Sequence, residues 1–150
     1  MTKKADKSQV NLELTQYPFQ HRFTPRWRDN DIYGHINNAV YYEYFDSTAN
    51  LYLIEQAGLN IHQADTVAFV VYSQCQYMAP VTYPNKINIG LAIKKLGNSS
   101  ITWQLGMFSE NDNETKATAE FVHVFVDRQT GEKTTIPNSM REALTKLLLQ

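Results

Sequence analysis

The feature that most restricts this chain is a helical stretch, residues 39–57, that is apolar on too many sides to lie on a surface. Val40, Tyr44, Leu51 and Ile54 recur at helical spacing, and Tyr41, Phe45 and Tyr52 make a second stripe beside them. A helix apolar over most of its circumference has to be enclosed by other elements. Ser47, Thr48 and Ala49 are small enough to let a sheet approach it closely. Asn37 or Asn38 can cap its start with a side-chain oxygen, and Gly58 stands where a helix of this length would end.

The enclosing elements read as strands. Residues 68–77, 86–96, 101–109 and 115–127 are rich in β-branched and aromatic side chains, and 97–99 and 110–114 read as short turns between them. Short connections between consecutive strands predict an antiparallel meander. An earlier strand begins at Phe19, with Phe23, Pro25 and Trp27 on its parity and Gln20, Arg22, Thr24, Arg26 and Arg28 on the other. Pro25 cannot donate to a ladder, which puts this strand at an edge or gives it a bulge. Near the end, Ser139 and Glu142 match a capping box, and Met140, Leu144, Leu147 and Leu148 keep helical spacing. One antiparallel sheet curled around a central helix satisfies this order. A free edge strand in such a sheet invites pairing with a second copy. Residues 1–15 are polar, charged and without period, and read as a flexible tail before a domain spanning 16–150.

Composition narrows the partners. A formal net charge of −1 gives no broad field for steering a polyanion, so no nucleic acid is expected. Cys75 is the only cysteine, which forbids an intrachain disulfide and leaves too few thiolates for a zinc cluster; no metal site is expected. The first nine residues lack an apolar core of the signal-peptide kind, and the uncharged stretch 66–85 is broken by Ser73, Gln74, Gln76, Pro80 and Pro84. The expectation is a cytoplasmic protein with no membrane partner.

Chemistry is concentrated in Arg28-Asp29-Asn30-Asp31-Ile32-Tyr33-Gly34-His35-Ile36-Asn37-Asn38. Two carboxylates, a histidine, a glycine and two amides lie between a strand end and a helix start. A carboxylate there is a candidate base or nucleophile, and backbone N–H groups at the helix N-terminus can hold developing negative charge.

The run from Asp29 to Asn38, with Tyr41 and Phe45 following on a helix, resembles the D-x-D-x-x-G-H-V-N-N pattern of the 4-hydroxybenzoyl-CoA thioesterase-like family of hot-dog proteins. The likeness continues through the Leu96-Gly97-Asn98-Ser99-Ser100-Ile101 turn and the strand at 122–127, and covers roughly residues 18–145. It implies an α+β hot-dog fold, with a five-stranded or six-stranded antiparallel sheet wrapped around a long helix. It implies hydrolysis of an acyl-CoA thioester without a cofactor or metal. Asp31 would be the catalytic carboxylate, as general base or nucleophile, and N–H groups around His35 to Asn38 would bind the oxyanion. The site would lie between subunits of a homodimer, or of a homotetramer.

Beside Asp31, His35 is a candidate to orient that carboxylate or polarise the carbonyl. Tyr33 is a candidate for the acyl pocket. Gly34 supplies a backbone conformation or close approach, and Asn37 and Asn38 cap the helix and are within reach of substrate. Lys94, Lys95 and Ser99, around the 97–100 turn, are candidates for the CoA phosphates. Asp29 reads as a turn carboxylate or a partner of Arg28, Tyr41, Tyr44 and Phe45 as core, and Cys75 as a buried inert thiol. Two alternatives remain on the same fold: an acyl-carrier-protein thioesterase, and a non-catalytic acyl-CoA binding module.

Overall fold

The computed structural model describes residues 12–149. Strand β1 (Phe19–Phe23) precedes helix α1 (Asn38–Glu55), strands β2 (Thr66–Tyr77), β3 (Ile87–Leu96), β4 (Ser100–Ser109) and β5 (Thr115–Asp127), and helix α2 (Asn138–Thr145). They build one five-stranded sheet in the order β1-β3-β4-β5-β2, with every neighbouring pair antiparallel. The expected meander therefore holds for β3, β4 and β5 only. β2 joins the far side of β5 instead of sitting beside β3, so the sheet closes around α1 rather than unrolling in chain order.

Helix α1 lies against the concave face. Tyr41, Phe45, Thr48, Ala49, Tyr52 and Leu53 are buried on it, and Phe45, Thr48, Ala49 and Leu53 are fully so. They meet the inward rows of the strands, among them Ile87, Ile89 and Leu91 of β3, Trp103, Leu105 and Met107 of β4, and Ala117, Ala119 and Phe121 of β5. The second stripe of the sequence pattern and two of its small residues thus make the seam. The first stripe is split: Tyr44 is buried, but Leu51 is half-buried and Ile54 is exposed. Ser47 is exposed as well, because only the residues one turn either side of Thr48 face the sheet.

Helix ends follow local chemistry. Asn37 caps α1, its Oδ1 accepting from the N–H of Ala39 at 2.9 Å. Gly58, at φ +74°, reverses the chain three residues after the helix ends. The capping box expected at Ser139 and Glu142 does not form. Helix α2 already begins at Asn138, after Pro137, and no side chain caps it. The fixed φ of Pro137 sets the helix start one residue before Ser139 could act as cap.

β1 stops at Phe23, and Trp27–Asp29 turn into a short 3-10 helix that leaves Trp27 exposed. Pro25 falls in this break, past the edge strand. Of the expected tail, residues 1–11 lie outside the described residues. Leu12 and Leu14 pack with Tyr17, Ala92, Phe108 and Leu149 on the outer face of the sheet. Tyr17 lies across Gly90 and Gly106, a registered pair on β3 and β4, and a Cβ at either glycine would collide with the tyrosine.

One buried polar pair ties β4 to β5. The indole N–H of Trp103 donates to Nδ1 of His123 at 2.6 Å, with the imidazole 2% exposed. Burial pushes the His123 pKa down to about 4, so the folded protein holds this ring neutral. The folded-state pKa lies below the unfolded value near 6.5, so the unfolded chain binds the extra proton first. The stabilisation is therefore complete above pH 6.5 and is lost as pH falls toward 4. At pH 5 this amounts to about 2 kcal/mol. Urea unfolding between pH 7 and pH 5 should show that fall, and His123→Phe should flatten it; an unchanged pH slope in the variant would contradict the assignment.

Candidate active site

The site forms where the ends of β1, β2 and α1 meet. The loop from Asp29 to Asn38 is stitched to the segment after β2: the Ile36 N–H donates to Val81 O at 2.8 Å, and His35 bridges to Thr82. The Asn37 N–H donates to Asp29 O at 2.8 Å, and the Asp31 N–H to His35 O at 2.8 Å. Gly34, at φ +80°, makes the tight reversal between Asp31 and His35.

The two carboxylates of the loop have different surroundings. Asp29 is buried, 2% exposed. Its Oδ2 accepts from the Arg26 N–H and the Tyr44 hydroxyl, at 2.8 and 2.7 Å, and its Oδ1 from the Arg26 guanidinium at 3.0 Å. Burial alone would raise its pKa, but the hydrogen bonds from the Arg26 backbone, the Tyr44 hydroxyl and the Arg26 side chain outweigh it and hold the carboxyl below its ordinary value. The same contact, together with burial, raises the Tyr44 phenol. The partner of Asp29 is thus Arg26, three residues back across a 3-10 turn, and not Arg28. Arg26 also reaches Glu43 at 3.2 Å, while Arg28 takes part in none of the ion pairs among the described residues.

Asp31 is only partly buried. Its Oδ1 accepts from the N–H groups of Tyr33 and His35, at 2.8 and 3.2 Å, which fixes the side chain in an Asx turn. Among the described residues no donor reaches its Oδ2. Asp31 stands between two clefts. The inner one, about 390 Å³, runs past His35 and Asn38 to Ile36, Tyr41, Tyr77 and Met78. The outer one, about 650 Å³, runs past Gly34 to Trp27, Arg28, Ile32 and Tyr83.

The loop's backbone donors are mostly committed. His35 gives its N–H to Asp31, Ile36 to Val81, and Asn37 to Asp29; Ala39, one residue into the helix, gives its own to the Asn37 cap. The N–H groups of Ile32 and Asn38 have no acceptor among the described residues, and Asn38 is the one at the start of α1 and on the wall of the inner cleft.

Not every candidate converges here. Asp31, His35 and Asn38 share the inner cleft, Gly34 the outer one, and Asn37 serves as cap. The Tyr33 side chain is 78% exposed and lines neither cleft. Lys94, Lys95 and Ser99 sit at the opposite end of the sheet; Lys94 pairs with Glu120 at 3.4 Å, and Ser99 lines a separate depression with Lys133 and Thr134.

Two tyrosines belong to the site that the sequence pattern did not place there: Tyr41 reads as helix core and Tyr77 as the end of a strand. Tyr41 and Tyr77 line the inner cleft with ring centroids 5.1 Å apart. The Tyr77 hydroxyl donates to Asn38 O at 2.8 Å, and Val81 N–H donates to the Tyr41 hydroxyl at 3.3 Å. Burial raises both phenols, which therefore stay protonated. The available signal was their position one turn into the helix and at the end of β2, both beside the loop. Cys75 lies two residues before Tyr77, and burial pushes its thiol up to about 11, so it is not a thiolate near neutrality. Among the described residues no group of three or more His, Cys, Asp or Glu could hold a metal ion, and no helix is long and apolar enough to cross a membrane.

A five-stranded antiparallel sheet wrapped on one long helix is a hot-dog fold, and the family to which the chain belongs makes it a thioester hydrolase. Residues 25–144 match the model of the thioesterase-like superfamily, and the chain belongs to that family. The crystal structure of the PA5185 protein from Pseudomonas aeruginosa is 44% identical, with a TM-score of 0.88 over 91% of this chain and 95% of that one. A thioesterase of Thermus thermophilus, crystallised with coenzyme A and zinc, shares the fold at 24% identity and a TM-score of 0.73, over 88% of this chain and 95% of that one. The uncharacterized protein YsmA of Bacillus subtilis is 25% identical over 87% of each chain.

Proposed function

We propose that this thioester hydrolase acts on acyl-CoA, with Asp31 as its catalytic carboxylate. The observation that carries the reading is the state of Asp31: one oxygen is fixed by two backbone N–H groups, and the other faces two clefts without a partner among the described residues. A carboxylate held this way can take a proton from water or attack the carbonyl directly. As base, it draws the proton from a water that adds to the thioester carbon; the tetrahedral oxyanion then collapses and expels the CoA thiolate. As nucleophile, it forms a mixed anhydride that water opens in a second step. The Asn38 N–H, at the positive end of α1, is the free loop donor on the inner cleft for the oxyanion. His35 anchors the loop through its backbone, and its side chain on the inner cleft is placed to orient substrate or Asp31.

The assembly extends this reading. β2 is an edge strand, and Phe69, Val70, Val71 and Tyr72 on it are 44–63% exposed. An apolar edge of this kind is covered by pairing with a second copy. In an antiparallel β2–β2 pair, the Tyr77 end of one strand lies beside the Thr66 end of the other. The partner's Lys94, Lys95 and Ser99, at that second end of the sheet, are then carried to the end of the dimer that holds the Asp29–Asn38 loop, toward the nucleotide phosphates of CoA. Sedimentation should give a homodimer or a tetramer built from it, and Val71→Lys should shift the population to monomer; a monomeric parent protein would contradict the arrangement. The lone, protonated Cys75 suits a reducing cytoplasm.

The test of the function is free-thiol release from short, medium, long and aromatic acyl-CoAs, with an acyl-carrier-protein thioester run alongside. Release from any acyl-CoA supports the reading. Release from the carrier-protein substrate alone would replace it with the acyl-carrier alternative. Saturable binding with no release would leave a binding module.

A further inference from the structure

The outer cleft has no role in the chemistry above, although Asp31 forms part of its wall. Its composition differs from that of the inner cleft. The inner cleft carries no lysine or arginine in its lining, only the carboxylate, His35, Asn38 and mostly aromatic or apolar side chains. The outer cleft has Arg28, a cation outside every ion pair among the described residues, and two aromatic rings. Trp27 and Tyr83 meet edge to face, ring centroids 5.5 Å apart, and remain 76% and 37% exposed. Trp27 is thus an apolar surface held in place by Tyr83 but left open to solvent, beside an arginine fixed to the same 3-10 turn.

We propose that the outer cleft is the subsite for the phosphopantetheine arm of the substrate, and the inner cleft the subsite for the acyl group. A thioester at Asp31 must send its two halves in different directions. The acyl half needs a cavity walled mainly by aromatic and apolar side chains, and beyond Asp31 the inner cleft supplies Ile36, Tyr41, Tyr77, Met78 and Pro80. The thiol half carries amides, a branched pantoyl group and then phosphate. The pantoyl methyl groups fit against Trp27 and Tyr83, and the phosphate against the Arg28 guanidinium, which forms charge-assisted hydrogen bonds to phosphate oxygens. Free CoA and an acyl carrier protein both present this arm, and the subsite recognises what they share. The proposal rests on Asp31 as the reacting carboxylate, but its test does not depend on turnover.

The chain has two tryptophans, and Trp103 is fully buried, so ligand-dependent change in emission reports on Trp27. CoA, 4′-phosphopantetheine and pantetheine are titrated against the full chain and against Trp27→Ala, Arg28→Ala and Arg28→Lys. CoA and phosphopantetheine should shift the Trp27 emission to the blue, and pantetheine should bind more weakly. Arg28→Ala should raise the Kd for phosphopantetheine roughly tenfold and leave that for pantetheine unchanged, with Arg28→Lys restoring part of the loss. Trp27→Ala should weaken all three, as followed by calorimetry. The KM for acyl-CoA should rise in the Arg28→Ala variant with kcat retained; a matching rise for the acyl-carrier-protein thioester would identify that source too. Equal binding of phosphopantetheine and pantetheine, untouched by Arg28→Ala, would overturn the subsite, and so would losses confined to Lys94→Ala and Lys95→Ala. Emission shifts without any thioester turnover would leave the subsite standing and remove the hydrolase reading.

Discussion

Asp31→Asn should abolish at least about 99% of thioester hydrolysis, a loss of at least roughly 10²-fold in kcat, and leave the fold intact. The expectation follows from which oxygen does what. Oδ1 accepts the N–H groups of Tyr33 and His35, and an asparagine Oδ1 can accept both in the same turn. The change falls on the other atom, where an NH2 group replaces Oδ2 and can neither take a proton nor attack a carbonyl. The loop, the cap at Asn37 and the two clefts should therefore persist, and unfolding midpoints should match. His35→Ala keeps the backbone bond that anchors the loop and should cost less. Free-thiol release, measured beside urea unfolding, separates these effects. Parent-like turnover in Asp31→Asn would remove Asp31 from the mechanism; lost turnover with a lower midpoint would mean that the variant had damaged the loop.

The sequence carried the elements well where β-branched and aromatic runs are bounded by clear turns. The β4 and β5 limits fall within a residue of those runs, because the turns at 97–99 and 110–114 punctuate strands that are buried along most of their length. The pattern carried less where burial is supplied from elsewhere. Leu51 and Ile54 belong to the apolar stripe of α1 but not to its seam with the sheet. Strand order was hidden for a related reason: alternation says which residues point inward, not which strand lies alongside, so β2 read as part of a meander.

At the site, the motif made Asp31, His35 and Asn38 legible, and the structure brings those three to one cleft. It could not show that Tyr41 and Tyr77 wall that cleft, since their contact joins residues 36 positions apart across two elements. Nor could it sort the loop's N–H groups into committed and free. That sorting depends on Val81 and on the Asp29 carbonyl, and only the folded chain places Val81 beside the loop. Lys94 and Lys95 look like phosphate ligands in one dimension, but the fold sends them to the far end of the sheet, where only a second copy could return them.

Asp29→Ala should destabilise the protein by about 3 kcal/mol, the opposite profile to Asp31→Asn. Asp29 is the buried member of the pair and receives the Arg26 N–H, the Arg26 guanidinium and the Tyr44 hydroxyl. Its removal leaves the Tyr44 hydroxyl buried without its acceptor, and loosens the 3-10 turn that leads into the loop ending at Asn38. Arg26 contributes less than a buried partner would, because its side chain is 48% exposed and solvent screens the pair. Tyr44→Phe in the same background should recover part of the loss, since it deletes the orphaned hydroxyl. The pH dependence has a defined sign. The folded carboxyl is held below its ordinary value, so its contribution is present above the unfolded pKa near 3.9 and fades as pH falls through the folded value. Below that point the difference between parent and variant should narrow to what the neutral carboxyl still supplies, chiefly an acceptor for the Tyr44 hydroxyl. Corrected for the folded fraction, Asp29→Ala should keep a kcat within a few-fold of the parent, because the proposed mechanism runs through the atoms of Asp31. A variant that stayed as stable as the parent but lost turnover would reverse the two roles and make Asp29 the reacting carboxylate. The shared D-x-D spacing cannot distinguish the two acids; their burial and hydrogen bonds do.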